Sequence, residues 1–309
     1  EYSDKITSQS ASLSARYYST LIRNRLSYDV TGMVLYSRSR QYSPWNSLLD
    51  NRKLTASSID ADYDTMTERG YANLIFRNSW LHLALGADLS NYSMTINDSF
   101  HGIERNSVRF LHLSPYLKAE AHNHALSMDL SYLERVSYPE YSYLLPAVNV
   151  KSQYQYYSGS PDLKIPVSRQ ARLKLSYNSY SIGTVWNLSG SISHIANPIV
   201  TDIRNILTDT CLEEYGLSLP AGSQLIRYTN GSRIPNYSIE ASADVDIVDV
   251  LKITPVLSWN SSGASYCIES VPYVNRDEGL KGSLAVSTIF STKFSLLAQV
   301  SYAVNKATC

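Results

Sequence analysis

No long hydrophobic run is present: nothing in the 309 residues approaches the roughly 18 consecutive apolar residues of a membrane-spanning helix. If this chain crosses a bilayer, it does so with strands. Charge of one sign is missing too, because 27 Lys and Arg are interspersed with 27 Asp and Glu. That balance removes the electrostatic footprint of a nucleic-acid binder. Cysteine is limited to three residues, none in a Cys-x-x-Cys spacing, so a structural metal site is not expected. No glycine-rich loop opens a helix, which argues against a phosphate cradle, and no other motif implies a cofactor. Internal repeats and low-complexity linkers are also absent, and Glu1 to Lys5 has neither the basic start nor the apolar core of a signal peptide.

What the chain has instead is tyrosine, 25 residues against 5 Phe and 4 Trp, together with abundant serine. These residues suit strands with one face in an apolar medium and the other in water, with Tyr at the boundary. A soluble sandwich or propeller also tolerates such a composition. Apolar residues recur with period two. Leu81, Leu83, Leu85, Ala87 and Leu89 alternate with His82, Ala84, Gly86, Asp88 and Ser90, and Tyr237 to Ile247 shows the same pattern over the ~10 residues a tilted transmembrane strand needs. The pattern predicts about twelve strands. Short turns are expected after residues 22, 77, 122, 178, 249 and 291, and long loops over 37–53, 97–106, 136–167, 196–222 and 260–278. Alternation of short and long connections is the mark of an all-β, antiparallel transmembrane barrel, in which one rim alone carries long loops.

The most distinctive stretch is Ser158 to Tyr177, SGSPDLKIPVSRQARLKLSY, preceded by the aromatic tract Tyr138-Pro139-Glu140-Tyr141-Ser142-Tyr143. A strand, an aromatic loop, a Gly-x-Pro-Asp-Leu-Lys element and a second strand follow in that order. This order resembles the outer-membrane β-barrel family found in Bacteroidota, the barrel portion of TonB-dependent transporters. Ser160 stands where the family pattern has Asn, and Ile165-Pro166-Val167 replaces its Pro-Glu. The resemblance implies a cell outer membrane location and a larger barrel of about 22 strands. Residues 1–309 would then be a fragment of it, lacking the N-terminal plug; the ending Asn305 to Cys309, without the usual terminal aromatic, agrees with that expectation. The implied function is energised uptake of a siderophore, cobalamin, glycan or peptide. Implied partners are outer-membrane lipid, the TonB complex acting through the missing part, and a surface lipoprotein or other outer-membrane subunit. The alternatives are a structural, interaction or assembly barrel and a passive pore.

Several groups are candidates for chemistry. Tyr138, Tyr141, Tyr143, Tyr154, Tyr156 and Tyr157 offer flat rings with hydroxyl tips for ligand contact, or else form a loop packed on itself. Asp60, Asp62 and Asp64 share one strand face and are expected to line the lumen, offset by Arg172 and Lys174 from another strand. His82 and His112 lie on the polar faces of neighbouring strands and are expected to approach each other in the lumen. No Ser or Asp is brought to either histidine by any pairing rule, so no catalytic residue is assigned and the chain is not read as an enzyme. His122 and His124 flank a tight turn, a spacing equally well explained without metal. Cys211 and Cys267 both fall in expected long loops, and an oxidising compartment permits a disulfide between them, although three cysteines allow three pairings.

Overall fold

A computed structural model of the chain describes residues 5–43, 58–100, 102–145, 148–152, 154–179, 183–212, 217–248, 251–291 and 294–308. The first six strands are β1 (Lys5–Ile22), β2 (Leu26–Ser43), β3 (Ile59–Arg77), β4 (Leu81–Asp98), β5 (Ile103–His122) and β6 (Leu126–Val136). A helical turn, α1 (Tyr141–Leu144), and two short strands, β7 (Val148–Ser152) and β8 (Gln155–Ser158), lead to β9 (Val167–Ser179) and β10 (Thr184–Ala196). Four more short strands follow: β11 (Ile199–Asn205), β12 (Thr210–Leu212), β13 (Leu217–Leu219) and β14 (Gln224–Asn230). The last four are β15 (Ile234–Val248), β16 (Leu251–Ile268), β17 (Val271–Ser291) and β18 (Phe294–Thr308).

Twelve long strands form the wall in the order β1-β2-β3-β4-β5-β6-β9-β10-β15-β16-β17-β18, each antiparallel to the next. Among the described residues β1 and β18 each pair on one side only. The short strands β7, β8, β14 and β11 belong to the two longest described connections, 137–166 and 197–233. Together they form a branch attached to the upper end of β16 through the parallel pair Asp202↔Cys267.

The pleat gives the wall two unlike faces. One unbroken cross-strand row reads Tyr28, Leu74, Leu85, Leu117, Tyr132, Ala171, Ile192, Tyr237. On the opposite face another row reads Arg77, His82, Glu120, Asp129, Lys174, Ser189, Glu240, Ser258, Lys281. An apolar outer face and a hydrophilic inner face are what lipid outside and water inside select. The outer band begins directly beyond the short turns at 23–25, 78–80 and 123–125, with Leu26, Leu81 and Leu126 as its first residues.

About 9–11 residues suffice to cross the hydrocarbon, yet β2 to β5 run for 18 to 20 residues. The excess projects past the band on the side of the long connections. Two expected loops are therefore strand. Residues 97–98 and 103–106 belong to the β4–β5 hairpin, and 260–278 are the closing end of β16–β17, whose two-residue tip Glu269-Ser270 has φ of 50° and 68°. Two successive positive φ values give the turn that matches strand twist. Likewise β2 continues to Ser43; residues 44–57 lie outside the described set.

Connection 137–166 folds back onto the inner face of β4 and β5. Leu144, Leu145 and Leu163 from this loop bury themselves against Tyr92, Met94 and Ile96 of the wall, flanked by Tyr63, Val108 and Phe110. Leu144 is fully buried. Replacing Leu144 with Ala should cost about 2–5 kcal/mol. The loss is expected to appear as faster hydrogen exchange and protease cleavage within 137–166, with the wall strands unchanged.

Candidate functional site

The Gly-x-Pro-Asp element is a staple for the aromatic loop. At Gly159 a side chain would lie 2.4 Å from the Leu145 carbonyl oxygen, so only glycine allows this approach. Here the Gly159 N–H donates to Leu145 O at 3.1 Å and the Ser160 N–H to Tyr143 O at 2.7 Å. Leu163 supplies the buried apolar anchor. Lys164 N–H then donates to Asn230 Oδ1 at 2.8 Å, and Asn230 Nδ2 returns a bond to Lys164 O at 2.9 Å. The two long connections are thereby joined.

Five of the six candidate tyrosines are built into this packing. Tyr138 stacks on Tyr92 at 4.3 Å and donates its hydroxyl to Ser90 Oγ at 2.7 Å. Tyr141 stacks on Tyr63 at 4.2 Å, and Tyr143 lies 4.3 Å from Tyr228, tilted by 34°. Tyr156 is buried with Val148, Ile206 and Leu225, and Tyr157 is in the β8–β14 ladder. Tyr154 alone is largely exposed, at 52%. Burial, helped by neighbouring Tyr143, pushes the Tyr228 hydroxyl above its ordinary value. These rings hold the loop in place, and the Tyr138 hydroxyl ties it to the wall.

The acidic strand requires a correction. Asp60, Asp62 and Asp64 alternate with Ile59, Ala61 and Tyr63, and the latter set packs inward. The three carboxylates therefore share the outer face with Leu74 and lie past the apolar band. There Arg40 reaches Asp60 at 3.2 Å and Asp62 at 3.9 Å, Arg38 reaches Asp64 at 3.7 Å, and the Tyr36 hydroxyl donates to Asp64 at 2.9 Å. A single-residue change of phase exchanges the faces of a whole strand, and above the lipid the apolar set of β3 is the inner one, Ile59, Ala61 and Tyr63. Arg172 and Lys174 are inward-facing, in register with Ser131 and Asp129.

His82 and His112 both lie on the inner face but do not meet. His82 Nδ1 is 2.9 Å from Glu120, close to the turn end of the wall. His112 pairs in register with Ser90, eight residues further up β4, and its Nε2 is 2.7 Å from Glu134. Glu134 stands where β5–β6 pairing ends, at Tyr116↔Leu133. Its buried carboxylate also accepts from Arg169 Nε at 2.6 Å and Tyr132 Oη at 3.2 Å.

A cavity of about 430 Å³ opens on the inner face beneath Tyr138. Arg69 and Asp88 form an ion pair on one side of it, with Tyr71, Ser114 and Tyr116 alongside, and Glu134 and Arg135 close the other. Apart from Tyr138, none of these residues stands out in the sequence, because the wall must fold before they converge. No group of three or more His, Cys, Asp or Glu suited to a metal ion exists among the described residues.

The thiols Cys211 and Cys267 are free, which corrects the expected bridge. Cys267 is on β16 rather than in a loop, buried beside Asp202, whereas Cys211 is exposed on the β12–β13 ribbon. Asp202 also accepts the N–H and hydroxyl of Ser270, which clamps the hairpin tip. Burial, then the Asp202 charge, pushes the Cys267 thiol up.

The chain matches the outer membrane protein beta-barrel family over residues 5–308 and belongs to it. It is a protein of the cell outer membrane. No curated protein sequence matches it. Among solved structures it is similar to the copper transporter OprC, with TM-score 0.56 and 11% identity over 98% of this chain and 48% of that one. It is also similar to the hemophore receptor HasR of Serratia marcescens, a double mutant solved with its hemophore HasA and heme. That match has TM-score 0.52 and 10% identity over 99% of this chain and 60% of the receptor. The FrpB iron transporter from Neisseria meningitidis, F5-1 variant, gives 0.50 and 10%, over 99% and 56%. At such identities the likeness is one of fold, and the chain spans about half to three-fifths of these proteins.

Thiol reactivity provides a direct check on the cysteine placement. In folded protein Cys211 should react with a maleimide at the rate of an exposed thiol and Cys267 at least about tenfold more slowly, since the thiolate is the reactive form. Equal rates, or a mobility shift on reduction of a monomer that indicates a bridge, would contradict that placement.

Proposed function

We propose that this chain supplies part of the wall and two outer loops of a TonB-dependent nutrient transporter. The whole of residues 1–309 acts as barrel domain, and the remaining wall and the plug come from other parts of the protein. One observation carries the reading. At its outer end the inner face is packed with an ordered aromatic loop, whereas a passive pore requires an open aqueous bore. The structural neighbours, two metal transporters and a hemophore receptor, support the same reading. In this reading lipid contacts the apolar band, and TonB engages the part outside this chain. A surface lipoprotein or other outer-membrane subunit is accommodated at the outer loops, and no catalytic step is assigned. The transported nutrient belongs to the general classes of siderophore, cobalamin, glycan or peptide.

The test is electrical and energetic. Full-length protein from outer membranes should show no steady conductance in planar bilayers. Cells carrying it should take up its nutrient only while the inner membrane is energised, losing uptake on addition of a protonophore. A steadily open channel, or uptake indifferent to the protonophore, would replace this reading with that of a passive pore.

A further inference from the structure

We infer that the cavity beneath Tyr138 binds a sugar acid, a hydroxylated ligand with a single carboxylate. As a statement about cargo this rests on the uptake reading above; as a statement about binding it rests on the cavity. Charge balance comes first. Asp88 neutralises Arg69, and Arg169 neutralises Glu134, which also holds His112. Arg135 has no acidic partner among the described residues and lines the cavity exposed to solvent. One uncompensated guanidinium favours a single negative charge, and its planar fork matches a carboxylate. A polyanion would leave further negative charge without a partner.

Hydroxyl groups come second. Tyr71, Ser90, Ser114, Tyr116 and Tyr138 all contribute to the lining. Beyond the bond that Tyr138 donates to Ser90, this set keeps both donors and acceptors, as a ring of ligand hydroxyls requires. The Tyr71 and Tyr116 rings lie side by side, 6.3 Å apart and tilted by 31°, and supply an apolar face for the C–H side of a sugar. Size comes third: about 430 Å³ is at the lower end of small-molecule sites and fits one or two sugar rings. Tyr138 closes the cavity from above through its ring on Tyr92 and its hydroxyl on Ser90. A site for a bare anion would not need the hydroxyls, and a site for a neutral sugar would not need Arg135.

The experiment is calorimetric titration of the full-length, detergent-extracted protein with D-glucuronate, D-glucose and acetate at pH 7 and low salt. Glucuronate should bind at least about tenfold more tightly than either of the others. Arg135→Gln should bring glucuronate down to the level of glucose, and Tyr116→Phe should weaken both sugars and leave acetate unchanged. Should Arg135→Gln not fold, Arg135→Lys keeps the charge without the fork, and about a tenfold loss for glucuronate alone is expected. Equal affinities for glucuronate and glucose, equal affinities for glucuronate and acetate, or an Arg135 variant that binds glucuronate normally would each overturn the assignment. Because the titration needs no energised membrane, its failure and the failure of the uptake reading are separate results.

Discussion

Backbone hydrogen bonding in lipid is the constraint on which this structure depends. Inside hydrocarbon no water is available to satisfy an N–H or C=O group, so every strand that crosses must be paired along its crossing segment. Every interior strand of the wall is paired on both sides, from β1–β2 through β17–β18, most briefly between β5 and β6, where seven positions pair. Among the described residues it leaves two edges, the 18 residues of β1 and the 15 of β18. Each edge requires a partner strand in the membrane.

Once pairing is imposed, the pleat decides what each side chain can do. The row from Tyr28 to Tyr237 faces lipid because it is apolar, and by geometry alone the alternate residues face inward. Parity, more than residue type, therefore assigns roles. Asp60, Asp62 and Asp64 have the composition of a polar lumen but the phase of the outer face, so they pair with Arg38 and Arg40 above the lipid. Arg69 and Asp88 have the inner phase and meet across β3–β4. Exposed ion pairs such as those of Arg38 and Arg40 contribute little stability, at most about 1 kcal/mol each. Their effect is to keep a polar surface just outside the membrane.

The twelve wall strands were legible because a membrane enforces period two over each crossing, and the short turns were legible because apolar residues resume at once beyond them. Above the band that enforcement ends. There the apolar set of β4 moves to the inner face, as Tyr92, Met94 and Ile96, and the hairpin ends are rich in polar and turn-forming residues, so 97–106 and 260–278 read as loops although 97–98, 103–106 and most of 260–278 are strand. The branch made by β7, β8, β14 and β11 was not legible for another reason. Its parallel pairs, Gln155↔Gln224 and Asp202↔Cys267, join segments more than sixty residues apart in sequence, and no local pattern specifies such a partner. The histidines illustrate the same limit: a shared inward phase does not give height along the strand, which only the register supplies.

The aromatic loop was found in the sequence, and its geometry explains the choice of tyrosine. A loop folded onto the inner face needs rings large enough to build a core there, yet the same rings border a polar interior. Tyrosine meets both needs: Tyr138 contributes its ring to Tyr92 and its hydroxyl to Ser90. Phenylalanine would serve only the core, and serine only the water. Gly159 and Asn230 fix the loop to its neighbours, so the core does not depend on the rings alone. The cavity below Tyr138 is then a product of packing. Its roof comes from a recognisable motif, while its charged and hydroxylated walls come from ordinary strand positions that acquire meaning only through register.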